Sequence, residues 1–180
     1  MIGSGIEYGI GFLRMAFLYL VTEIGGVMLA VTFHPESYGV GASCAGFGLI
    51  GFLTAYIFSN WQFMGRTNPG QRWYILVLCL FFFLTNQGLS LNWESKNIGH
   101  QGGFITGILI GFTLSEQYDY NAVSTDPPRT PDRYTDEEWK GPCCFKFRYY
   151  LCARCGLIFL IIWFVLLICL FYLYTDVDVE

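Results

Sequence analysis

Apolar residues run along this chain in blocks too long for strands and too uniform for one face of a water-exposed helix. A bilayer core takes about 20 consecutive, mostly apolar residues per helix. Five stretches approach that length, from about Phe12 to Phe33, Gly41 to Ser59, Trp73 to Leu91, Gly99 to Leu114 and Gly156 to Tyr174. The fifth, GLIFLIIWFVLLICLFYLY, carries neither charge nor proline. The second and fourth are short and rich in glycine, which suits helices packed among other helices better than helices facing lipid.

The connections differ in kind. Residues 34–40 (HPESYGV) and 92–98 (NWESKNI) read as tight links, and 60–72 (NWQFMGRTNPGQR) as a polar turn with Pro69 and Gly70 as breakers. Residues 115–154 form the only long hydrophilic segment, expected to be extended. The pattern predicts an all-α membrane protein, a polytopic bundle of about five transmembrane helices. Its expected divisions are a membrane core over 1–115, a cytoplasmic hydrophilic loop with a cysteine cluster over 116–154, and an added helix with an acidic tail over 155–180.

Composition agrees: 54% of residues are hydrophobic, 19% aromatic and only 13% charged. Soluble domains carry about a quarter charged residues, so the solvent here is the lipid bilayer. No interleaved basic patch points to nucleic acid, and the opening MIGSGIEYGIG has no basic flank or cleavage-like site of a secretory signal. The few basic residues orient the bundle. With five spans, Arg14, Arg66, Arg72, Arg129, Arg133, Lys140, Lys146, Arg148 and Arg154 share one side and Lys96 alone lies on the other. The positive-inside rule puts the first side in the cytoplasm.

That topology brings two distant residues to one depth. Ser43 opens the second span and His100 the fourth, and both spans run inward from the outer face. Gly103, Gly107 and Gly111 recur at four-residue steps after His100, and Gly41, Ala45 and Gly48 thin the second span. Small residues at this spacing let membrane helices approach backbone to backbone. Alone, a serine in such a helix is usually a packing or back-bonding residue, and a histidine at a helix start an interfacial polar group. At matched depth they suggest a nucleophile and its base, because a hydroxyl attacks well only when a neighbouring imidazole takes its proton. Helix-terminal amides beside Ser43 would face a developing oxyanion.

These residues resemble the signatures of the rhomboid intramembrane serine proteases. Gly41-Ala42-Ser43-Cys44 with Gly48 is similar to the family's G-x-S-G-x-x-x-G stretch, and His100, Gly102, Gly103 and Gly107 match its H-x-G-G-x-x-x-G. Glu7, Gly11, Arg14 and Tyr19 look like the segment between the family's second and third helices, and Asn60-Trp61 also fits. The resemblance covers roughly residues 3–115, and the last span corresponds to the extra helix of the eukaryotic six-plus-one form. It implies a Ser43–His100 dyad supported at the oxyanion by the Gly41 and Cys44 region, with Gly48, Gly102, Gly103, Gly107 and Gly111 packing the helices. It further implies single-pass membrane-protein substrates and a need for neither metal nor organic cofactor.

Two departures shape the expectation. The family's first two helices, one carrying a His and an Asn four residues apart, would lie before Met1 and are expected from an upstream exon or a separate polypeptide. Cys44 stands where the motif has glycine. The alternative reading is therefore a rhomboid pseudoprotease, or a structural subunit of a membrane complex, that binds membrane proteins without cutting. The six-plus-one form favours the secretory pathway or plasma membrane over the mitochondrial inner membrane.

Other residues keep open readings. Glu23 sits mid-span, where a charge is costly, and is protonated, paired or turned to a water-filled cavity. Cys143, Cys144, Cys152 and Cys155 read as acylated, unmodified or zinc-binding. Asn86 and Gln87 read as interhelical hydrogen-bonding groups, His34 as a loop histidine, and Cys79 and Cys169 as core or lipid-facing residues.

Overall fold

A computed structural model describes residues 2–35, 42–89, 95–115 and 143–177, and among these every regular element is an α-helix. Helices α1 (Ile2–Ile10) and α2 (Phe12–Phe33) are separated by Gly11 alone. Its φ of 85° lies in the left-handed region that glycine adopts without strain. Helix α3 (Ser43–Ser59) is followed by the short α4 (Trp61–Thr67), then α5 (Pro69–Leu89), α6 (Ser95–Leu114) and α7 (Cys143–Val177).

The expected spans all appear as helices, the first with the expected bounds, but three details differ. The 60–72 segment is not simply a turn, because α4 occupies its first half. Asn60 is buried and gives its side-chain amide to the Tyr56 carbonyl at 3.2 Å, ending α3 while its own carbonyl starts α4. The Arg72 guanidinium lies 4.4 Å from the Trp61 ring centre and donates to the Trp61 carbonyl at 3.2 Å, fastening α4 to α5. Pro69 does more than break the chain: α4 ends at Thr67 and Asn68 is extended, and the proline itself then starts α5, where a missing N–H costs little. Finally, α7 begins at Cys143, so residues 143–154, expected within the hydrophilic segment, are helical.

Packing centres on α6, which touches α2, α3 and α7. Cys44 lies against Gly103, Gly48 against Gly107 and Phe52 against Gly111, pairs with a constant sequence offset, so α3 and α6 run parallel. Thr22 with Gly48 and Gly26 with Cys44 pair in opposite order, making α2 antiparallel to both. Likewise, Trp163 with Thr106 and Gly156 with Thr113 make α7 antiparallel to α6. The approach is so close that a Cβ on Gly103 or Gly107 would collide with the carbonyl oxygens of Cys44 and Gly48.

Threonine hydroxyls along the helices satisfy themselves locally. Thr22, Thr32, Thr54, Thr106 and Thr113 each donate to a carbonyl one turn back, at 2.7 to 2.9 Å. The outside is the reverse of a soluble surface. Leu13, Leu20 and Ile24 on α2, Val77, Phe81 and Leu84 on α5, and Ile158, Ile161 and Val165 on α7 are all exposed. Such faces belong in hydrocarbon. By length and hydropathy α2 and residues 153–174 of α7 are sufficient to span a bilayer, and α3 is a shorter apolar helix.

Candidate functional site

The parallel pairing of α3 and α6 brings together two side chains 57 residues apart in sequence. Ser43 is the first residue of α3 and exposed; His100 lies in the second turn of α6 and is half-buried. His100 Nε2 is 2.9 Å from Ser43 Oγ, and its Nδ1 is 2.9 Å from Asn86 Oδ1 on α5. One proton assignment satisfies both contacts. An amide oxygen only accepts, so Nδ1 carries the hydrogen; Nε2 is then a lone pair facing the Ser43 hydroxyl. Three helices thus converge on one Asn–His–Ser chain.

The imidazole is held in its plane as well. Phe47, one turn beyond Ser43, stacks on it with ring centres 4.4 Å apart and planes inclined by 20°. Phe83 of α5 packs on Phe104 of α6 at 4.5 Å, one turn past His100, so the α5–α6 contact does not rest on Asn86 alone. The amide nitrogen of Asn86, Nδ2, is buried with no acceptor among the described residues.

Cys44 is buried and occupies the point where α2, α3 and α6 meet. A Cβ built on Gly26 would come within 2.6 Å of its Cβ, and one built on Gly99 within 3.0 Å of its Sγ. The thiol therefore fits because both facing positions are glycine. Gly102 faces α2, where an added Cβ would come within 2.8 Å of the Gly25 carbonyl oxygen and 2.9 Å of Leu29. Gly111 lies against Ala55, with 2.6 Å between its would-be Cβ and that methyl. Gly41 and the side chains of Gln87, Cys143, Cys144 and Cys152 lie outside the described residues. Cys155 and Cys169 are free thiols, the latter exposed on the outer surface of α7; Cys79, on α5, is a buried free thiol.

Two polar groups acquire partners that sequence reasoning left open. Glu23 of α2 accepts a hydrogen bond from the backbone N–H of Ala45 at 2.9 Å, two residues past Ser43. Asn86, expected to bridge helices, bridges to His100 itself. No local signal links either pair; only the antiparallel register of α2 and α3 and the course of α5 beside α6 do.

The Rhomboid domain family profile matches residues 1–117. The chain is 34% identical to RHOMBOID-like protein 2 of Arabidopsis thaliana over 136 residues, covering 74% of this chain and 41% of that protein. It is 32% identical to Rhomboid-like protease 1 of Toxoplasma gondii over 125 residues, 67% of this chain and 41% of the relative. Inactive rhomboid protein 1 of Papio anubis matches at 31% over 104 residues, 58% of this chain and 12% of that protein. The chain thus spans at most about two fifths of these relatives' lengths.

Proposed function

The chain is a helical membrane protein of the rhomboid family, and from that premise we propose that it is an intramembrane serine endopeptidase with Ser43 as nucleophile and His100 as general base. The carrying observation is the 2.9 Å contact between Ser43 Oγ and His100 Nε2, with Asn86 on the far nitrogen of the ring.

The chemistry follows from that order. Ser43 Oγ attacks the carbonyl carbon of a peptide bond in a membrane-protein segment, forming the C–O bond as its proton passes to His100 Nε2. Nδ1–H remains on Asn86 throughout, so the ring stays oriented as it becomes a cation. Negative charge grows on the carbonyl oxygen. The first intrahelical bond at this end of α3 runs from Gly46 N–H to the Ala42 carbonyl, so the amides of Ser43 and Cys44 precede the helical ladder and suit that oxyanion. The C–N bond then breaks, and the leaving amine takes the proton from His100. Water, deprotonated by the same imidazole, attacks the ester carbonyl; the acyl C–Oγ bond breaks, Ser43 Oγ takes the proton back from His100, and a carboxylic acid is released.

The site sits within the bundle and not at its end. Glu23, which contacts the first turn of α3, lies roughly 15 Å along α2 from Phe33, at about 1.5 Å rise per residue. A substrate helix would have to unwind at that depth, so single-pass membrane proteins are the fitting substrate class. The secretory pathway or plasma membrane is the proposed location.

A binding-only role is the second reading, favoured by the similarity to an inactive rhomboid protein and by the thiol packed beside Ser43. A fluorophosphonate probe on the protein in liposomes separates the two. The wild type should label, Ser43→Ala should not, and His100→Ala should label on the order of 10²-fold more slowly or less. Wild-type labelling retained in Ser43→Ala would sink the assignment. An unlabelled wild type that still binds a single-pass client would select the binding-only role.

A further inference from the structure

Helix α3 begins without a capping side chain of its own. Its N-cap position is Ala42, which makes no side-chain cap, and the Ser43 hydroxyl is engaged by His100. Helix N-termini leave backbone N–H groups unpaired, and in hydrocarbon each costs far more than in water. One of those amides, that of Ala45, is met by the Glu23 carboxylate at 2.9 Å. Glu23 belongs to another helix and stands mid-span, where an ionisable group needs a partner. The positive end of α3 is that partner. Two and three residues further on, Gly25 and Gly26 explain how the reach is made: they let Thr106, Cys44 and the Gly99 carbonyl press directly on α2 at this level.

From these contacts we infer that Glu23 is a positioning residue that caps the serine helix from a neighbouring helix, holding the turn that carries Ser43. It takes the Ala45 amide and leaves those of Ser43 and Cys44 toward the reacting carbonyl. The inference rests on the reading of Ser43 as nucleophile for its consequence, but the cap itself has an independent reporter. Cys44 lies between Ser43 and Ala45 and is only 7% exposed. Fraying of this turn would bare its thiol.

The test is site-resolved alkylation with N-ethylmaleimide, read by mass spectrometry on the full chain in liposomes. Cys79, buried at 5% exposure on α5, serves as the internal control. Glu23→Leu removes the acceptor at similar bulk, and Cys44 should then react about fivefold faster while Cys79 stays at its wild-type rate. Glu23→Gln keeps an oxygen acceptor and should hold Cys44 within about twofold of the wild type. The cap is overturned if Cys44 is no more reactive in Glu23→Leu, if Cys79 rises in parallel, or if Glu23→Gln is as reactive as Glu23→Leu. Fluorophosphonate labelling of Ser43 in the same samples should fall about fivefold in Glu23→Leu and be rescued in Glu23→Gln. An unlabelled wild type would count against the protease reading alone, since the thiol measurement decides the cap without it.

Discussion

The α3–α6 pair and α7 solve the membrane problem in opposite ways. Helix α7 is wrapped in bulky apolar residues and has one inward seam, with Leu160 and Leu167 buried and Trp163 and Phe164 packed beside them. The most apolar 18-residue stretch of α7 has a mean hydropathy of 3.0, against 1.8 for that of α2. Helices α3 and α6 give up side chains where they meet, and glycines set carbonyl oxygens of one against Cα atoms of the other. Lipid affinity marks the helix that does least chemistry. The reacting groups sit on helices whose surface is spent on each other, because angstrom-level placement of a base needs a rigid, backbone-close seat.

That comparison breaks most violently at Gly107. Leucine there has to occupy the space of the Gly48 carbonyl, and neither backbone can yield without parting the helices. Gly107→Leu should destabilise the bundle by about 3 kcal/mol or more and abolish labelling of Ser43. Thermal unfolding in mild detergent measures the first effect. A variant with wild-type stability would mean that α3 and α6 are not in backbone contact.

Asn86 sharpens the contrast within the site. It lies on α5, a peripheral helix with much exposed apolar surface, yet its amide oxygen sets the tautomer of His100. Asn86→Leu should leave the fold standing while Ser43 labelling falls by on the order of 10²-fold, the scale of a misaligned catalytic group. Labelling at the wild-type rate would show that Phe47 stacking alone orients the ring.

Much of this architecture was legible in the hydropathy of the chain, and the reasons are physical. Phe12–Phe33 reads cleanly because lipid contact and apolarity coincide there. Ser43 and His100 are legible through the glycines around them, since small residues at four-residue steps announce close helix contact. Helix α4 and the first turns of α7 are not, because WQFMGRT and CCFKFRYYLCAR are polar at intervals and hydropathy reports lipid, not helicity. Nor could the partners of Glu23 and Asn86 be read, since each bond spans two helices whose relative register is set by packing elsewhere.

The seam between the two regions predicts a smaller effect. The Trp163 indole N–H donates to Thr106 Oγ1 at 3.0 Å, and that hydroxyl donates to the Gly102 carbonyl at 2.7 Å, two residues past His100. Trp163→Phe keeps most of the apolar ring and removes the donor, so it should cost about 1 kcal/mol and slow Ser43 labelling only slightly. A loss as large as that of Gly107→Leu would place α7 within the core and dissolve the distinction between the two regions.

The smallest effect belongs to the outward face of α7. Ile161 is 56% exposed and lies on the side of the helix away from Leu160 and Leu167. In the folded protein its side chain meets acyl chains, and in a membrane-inserted but unpacked state it meets the same acyl chains, so truncation changes both states alike. Ile161→Ala should therefore shift stability by less than about 0.5 kcal/mol, with Ser43 labelling at the wild-type rate. Thermal unfolding in detergent, paired with the labelling assay, checks both. A cost above about 2 kcal/mol, the scale of burying such a side chain, would mean that this face is covered by protein in the assembled molecule. The lipid-facing helix would then be an internal one.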